Sequence, residues 1–116
     1  MSAILRASSA DLGSSYPESV SIANAGTVST AWKIGQWGTG GFVLPAAFTG
    51  TTVTFQVSVD GTTFSALNNS SGAVSLTVAQ GKAYLFPADV FGFVQVKIVS
   101  GSAEGAARTI QVFGKG

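Results

Sequence analysis

Neither cysteine nor histidine occurs anywhere in the 116 residues. The first absence excludes disulfide support, thiolate metal sites and cysteine nucleophiles, and leaves the redox compartment open. The second removes the usual general base near neutral pH and the commonest nitrogen ligand of zinc, copper or iron. Acids are few: Asp11, Glu18, Asp60, Asp89 and Glu104. A paired-carboxylate mechanism needs two of them side by side, whereas Asp60 and Asp89 read as turn residues. No phosphate-cradling loop is present either, because the glycines between Gly35 and Gly41 lack both the Lys-Ser/Thr ending and a following helix. No enzyme, cofactor or metal site is expected.

The six basic residues, Arg6, Lys33, Lys82, Lys97, Arg108 and Lys115, are scattered, with no stripe to follow a phosphate backbone. Nucleic acid is therefore not an expected partner. No apolar run approaches the ~20 residues that span a bilayer, and the opening Met-Ser-Ala-Ile-Leu-Arg lacks the pattern of a secretory signal. A soluble product made in the cytoplasm, with no membrane partner, is expected. Without such a signal, the glycosylation pattern at Asn68-Asn69-Ser70 and Asn69-Ser70-Ser71 is empty, and these are turn residues.

What the chain does hold is apolar content. Hydrophobic residues make up 46% and charged residues only 9%, against roughly a quarter charged in an average soluble domain. Ser, Thr, Gly and Asn must coat the outside, a wettable but weakly self-repelling surface that favours packing against neighbours. By length this is one domain.

The most legible stretch is Gly50 to Leu67. Val53, Phe55, Val57 and Val59 alternate with Thr54, Gln56 and Ser58, the period of a half-buried strand. Asp60-Gly61 then predicts a tight two-residue hairpin turn. Residues 1–19 are less periodic and predict an extended arm, in which Ile4 and Leu5 are candidate partner contacts; a frayed terminus and a lattice arm both remain open. The single β domain is expected over 20–116. Val20 and Ile22 suggest one strand, and Val28, Thr30, Trp32 and Ile34 a second. The Gly35–Gly41 stretch reads as a loop, and Phe42-Val43-Leu44, ended by Pro45, as an edge or entry strand.

Further alternations follow at Val74–Val78, Ala83–Phe86, Val94–Ile98 and Thr109–Phe113, and 100–107 has room for one helical turn. Eight or nine short strands with regular turn signals and no normal-length amphipathic helix predict an all-β antiparallel sandwich, jelly-roll-like in outline. Trp32 is expected in the core. Trp37, among glycines, is open between a core lid and an exposed anchor. Phe91 and Phe93 are likewise open, and Phe113, on the face opposite Ile110 and Val112, suggests that this outer face is covered.

The segments Phe42-Val43-Leu44-Pro45, Phe48 to Phe64, Tyr84-Leu85-Phe86-Pro87-Ala88-Asp89, Val96-Lys97-Ile98 and Ala107-Arg108-Thr109-Ile110 together resemble a small β-sandwich found among tailed-bacteriophage structural proteins. The Val-Ser-x-Asp-Gly-x-x-Phe hairpin is also similar to that of galactose-binding-like jelly rolls. The resemblance implies a virion component, a capsid decoration (cement) protein contacting the major capsid protein and copies of itself as an oligomer such as a trimer. In that family, interfaces use surface complementarity and extended arms, for which Ile4, Leu5, Trp37, Phe91 and Phe113 are the candidates. A second expectation is a carbohydrate- or receptor-binding module of a tail or fibre, with Trp37 as its platform. The lack of histidine and the few acids and arginines near the loops depart from sugar-binding relatives.

Overall fold

Short apolar alternations, each broken by a turn, form antiparallel sheets in the computed structural model, which describes residues 18–116. The first sheet holds β1 (Glu18–Ile22), β11 (Arg108–Lys115), β3 (Thr39–Val43) and β9 (Ala83–Leu85), in that order. The second holds β2 (Trp32–Lys33), β10 (Gln95–Ser100) and β4 (Thr52–Ser58). Along the remaining edge of β4 lie β5 (Ser65–Ala66) and β8 (Ser75–Thr77), end to end. Between them a small hairpin, β6 (Asn68–Asn69) and β7 (Gly72–Ala73), is looped out.

With β5 and β8 taken as one interrupted strand, the positions run 1-8-3-6 in one sheet and 2-7-4-5 in the other. That interleaving is the order of a jelly roll. The all-β sandwich expected from the alternations is therefore what forms, with nine of the eleven short segments among the described residues filling those eight positions and β6 and β7 outside them. The arm boundary moves: Glu18 and Ser19 belong to β1, paired with Val112 and Gln111. The rest of the expected arm, including Ile4 and Leu5, lies outside the described residues.

The core is built from the inner faces. Val20, Ile22, Phe42, Ile110 and Val112 of the first sheet face Val53, Phe55, Val57, Val96 and Ile98 of the second, all buried. Phe86 sits at the centre of an aromatic cluster, with ring centroids 5.1 Å from Phe42, 5.8 Å from Phe55 and 5.9 Å from Trp32. Such pairs add about 0.5–1.5 kcal/mol each beyond the area they bury.

Four local expectations are corrected. Phe42-Val43 is not at an edge, because β3 is paired on both sides, by β11 and β9; Pro45 falls beyond the ladder. Gly40 and Gly41 are strand residues of β3, not loop residues. A Cβ at Gly40 would collide with the Phe113 carbonyl oxygen, and one at Gly41 would lie 2.7 Å from the Phe113 ring, so close approach is the reason for glycine there.

The expected Val28–Ile34 strand is broken as well. Val28 bridges β10 at Val99 while Ser29 bridges β1 at Ile22, so the chain crosses between sheets at this point. The buried Ser29 hydroxyl accepts the Ile98 amide at 2.9 Å, and the inward alternation resumes only at Trp32 and Ile34. Finally, 100–107 contains no helical turn, Ser100 ending β10 and the rest being irregular; the one such turn among the described residues is a 3₁₀ turn at Ala88–Gly92.

Candidate functional site

A jelly roll gathers its connections at two ends, and here the two ends differ in chemistry. One end carries 23–31, 44–51, 78–82 and 101–107; we call it the clasp end. The other carries 34–38, 59–64 and 86–94. Glu18 and Lys115 also lie there, since Glu18 pairs with Val112 and Lys115 with Thr39, so we call it the terminal end.

The clasp end is locked by a buried carboxylate. Glu104, with no side-chain exposure, accepts hydrogen bonds from the Thr49 amide at 2.8 Å and the Gly50 amide at 3.1 Å. The Ser100 hydroxyl donates to it at 2.8 Å and Arg108 Nε at 2.9 Å. Burial pushes the Glu104 carboxyl up, but the Thr49 amide, Arg108, Ser100 and the Gly50 amide together hold it below its ordinary 4.5. Every strong acceptor position is used, so this carboxylate is structural. The sequence marked Glu104 only as one of few acids; Ser100 and Arg108, four residues to either side, are its local partners, but the two backbone amides that make it a clasp come from residues 54 and 55 positions away in the chain.

The terminal end is apolar and less covered. Strand β4 stops at Ser58, so Val59 is not the fourth inward residue of the alternation but stands 76% exposed. The connection from Val57 to its partner Ser65 is wider than a two-residue turn. Gly61 has a positive φ of 82°, and Asp60 does not share it. Instead, Asp60 Oδ1 accepts the Thr62 and Thr63 amides at 2.8 and 2.9 Å. Ser58 Oγ donates to Asp60 Oδ1 at 3.0 Å and accepts the Gly61 amide at 2.7 Å. The Thr63 and Thr62 amides, then Ser58, hold the Asp60 carboxyl below its ordinary 3.8. The loop is thus a rigid platform for Val59, and Asp60 is a turn-holding group as the sequence suggested.

Two open clefts flank Val59. One, of about 370 Å³, is lined by Lys33, Gly35, Gln36, Val59, Asp60, Gly61, Val94 and Gln95. The other, of about 520 Å³, runs along Ser65, Ala66, Leu67 and Asn68 to Phe93. Val94 is 41% exposed, and Leu85, on the outer face of the first sheet, is 66% exposed. Leu85 and Phe113 are both register partners of Gly41, which places them in one row across that outer face.

Trp37, Phe91 and Phe113 all belong to the terminal end or its margin, while Ile4 and Leu5 are outside the described residues. Trp37 is a lid: its half-buried ring lies against Gly114, where a Cβ would be 2.7 Å from the indole Cδ2. Its indole N–H is buried without a partner. Phe91 is half-buried, edge-on to Phe86 at 6.0 Å. Phe113 is on the outer face as expected, and the missing side chain of Gly41 lets its ring lie down on the sheet. Trp32 is core, and its indole N–H donates to Glu18 Oε1 at 3.1 Å.

Residue reasoning missed Val59, Leu85 and Val94. For Val59 a signal existed: Ser58-x-Asp60-Gly61 is a set of side chains that hydrogen-bond a turn locally, and such a turn ends the strand before the last valine. Among the described residues no group of three or more acids that could hold a metal ion is present. Comparison of the chain with protein-family profiles, with curated proteins and with solved structures found no match.

Proposed function

We propose that the chain is a structural component of a tailed-bacteriophage particle, a capsid decoration protein that stabilises the shell by non-covalent contacts. The observation that carries this reading is that three of the four exposed large apolar side chains among the described residues, Val59, Leu85 and Val94, lie around the terminal end, with Val28 alone at the clasp end of a sparsely charged sandwich. An exposed apolar surface on a rigid scaffold is the mark of a docking surface. The resemblance of Gly41–Phe113 to phage sandwich proteins supplies the particle, the major capsid protein and neighbouring copies of this chain as partners. A trimer clustered on the shell fits that arrangement. A saccharide-binding role at a tail tip draws less support, because Trp37 packs its ring on Gly114 instead of presenting it as a platform.

Co-sedimentation with purified shells that lack the protein tests the reading. The intact chain is expected to bind, and Val59→Asp with Leu85→Asp to lose at least about tenfold in affinity, the effect of ~1.4 kcal/mol, with the fold unchanged. Failure of the intact chain to bind such shells overturns it.

A further inference from the structure

Of the strands at the sheet edges, β1, β2, β9 and the interrupted β5–β8, all but β9 are blunted. Ser29 and Thr30 cross the edge of β1, where Ser29 bridges Ile22 and the Thr30 amide donates to the Ser21 carbonyl at 2.9 Å. Strand β2 is two residues long and carries Lys33, and the β5–β8 edge is interrupted by the looped-out β6–β7 hairpin. Charges, bulges and covering loops are the devices that keep a sheet edge from pairing with another chain. The outer edge of β9 has none of them: Ala83, Tyr84 and Leu85 are uncharged, and no other described strand pairs there. The ladder also fixes which backbone groups point outwards. The Lys82 carbonyl accepts the Leu44 amide at 3.0 Å, the Phe86 amide donates to the Gly40 carbonyl at 2.9 Å, and Tyr84 stands opposite Phe42. Residues 82, 84 and 86 therefore spend their backbone groups on β3, while the amides and carbonyls of Ala83 and Leu85 face away from it. Both residues are exposed, Leu85 at 66%.

We propose that this edge pairs with its counterpart in a second copy of the chain, β9 against β9, antiparallel about a two-fold axis at Tyr84, joining two four-stranded sheets into one. The register is self-complementary. With Tyr84 opposite Tyr84, Ala83 of each copy faces Leu85 of the other, and each such pair exchanges both N–H···O bonds. The side chains agree: Leu85 lies beside Ala83 of the second copy on the outer face, aliphatic against aliphatic. Lys82 falls opposite Phe86 and not opposite its own counterpart, and a net charge of +1 leaves little repulsion between copies. The strand is short, and Pro87 cannot donate beyond it, so the pair is a weak one. The contact needs no shell, and Leu85 keeps its outward face in it.

Sedimentation equilibrium of the intact protein should find it mainly monomeric at about 10 µM and at least half dimeric at about 1 mM, the range of a small interface. Across that range amide exchange at Ala83 and Leu85 should slow by about twofold or more, following the shrinking monomer fraction, while Ala66 on the β5 edge is unchanged. Ala83→Pro removes an outward donor that β3 does not use, a change that an edge strand accommodates, and should abolish the dimer. Ala83→Lys with Leu85→Lys sets like charges directly opposite each other with the backbone untouched, and should abolish it too. Mixing that chain with one carrying Ala83→Glu and Leu85→Glu should restore a one-to-one pair. Unchanged amide signals of Thr49 and Glu104 at the clasp end report an intact fold in each variant. A monomer at the higher concentration, a dimer that survives either set of substitutions, a dimer without slowed exchange at Ala83 and Leu85, or oppositely charged chains that stay apart overturns the proposal. Shell binding can fail or succeed without changing this outcome.

Discussion

At Glu104 a carboxylate with no exposure takes four donors drawn from the 44–51 connection, β10 and β11. Glu104→Gln removes the charge that Arg108 faces and turns one acceptor into a donor aimed at amides. A loss of about 3 kcal/mol is expected, the scale of breaking a buried pair by removing one partner, measured by urea unfolding. The pH dependence follows from the depressed carboxyls of Glu104 and Asp60. Their stabilisation is complete above the ordinary values of 4.5 and 3.8 and is lost as pH falls through the lower folded values. Unfolding midpoints should therefore be flat from neutrality to about pH 5 and drop below it, and Glu104→Gln should blunt the drop. Gly40 sets a steric limit of the same sharpness. Gly40→Ala forces a Cβ onto the Phe113 carbonyl and should cost about 1–3 kcal/mol by overpacking, read from the same unfolding curves.

The loop 59–64 shows how side chains shape an element. Ser58 Oγ is shared by Asp60 and by the Asp60 and Gly61 amides. Ser58→Ala leaves those amides unserved and should cost about 1–2 kcal/mol. It should also speed amide exchange at Gly61 and Thr63, which hydrogen-exchange NMR detects. Period-two alternation made β4, β10 and β11 legible, because a face buried against one core has no other register open to it. Alternation is silent about where a ladder stops, and so Val59 was assigned inward. It is equally silent about crossings such as Thr27–Ser29, where the partners that decide the register, Ile22 and Val99, lie on different sheets. Gly40 and Gly41 looked like a loop because the carbonyls and the ring that exclude their side chains come from β9 and β11. The candidate site was legible in part. Aromatic content drew attention to the terminal end through Trp37 and Phe91, but Phe86 and Gly114 absorb those rings and leave the aliphatic residues outside.

At the scale of the molecule, an end locked by a buried carboxylate stands opposite one where exposed aliphatic side chains sit among charges of both signs. Docking led by the exposed aliphatic side chains of that end should depend little on salt, since the charges around them, Glu18, Asp60 and Asp89 against Lys33 and Lys115, nearly cancel. Raising sodium chloride from about 50 to about 500 mM should change shell affinity less than about twofold, whereas a charge-led contact weakens steeply as the screening length falls from about 14 to about 4 Å. The pairing of β1 with β11 has a kinetic side as well. Val20 meets Ile110, so the first strand of the sheet can be satisfied only by the last. Closing so long a loop carries a large entropic toll before any contact rewards it, and non-local pairing of this kind slows folding. A circular permutant that joins Gly116 to Met1 and opens the chain at the exposed Asn69-Ser70 hairpin tip would turn that distant pair into neighbours. It should keep the same sandwich and refold faster in stopped-flow measurements.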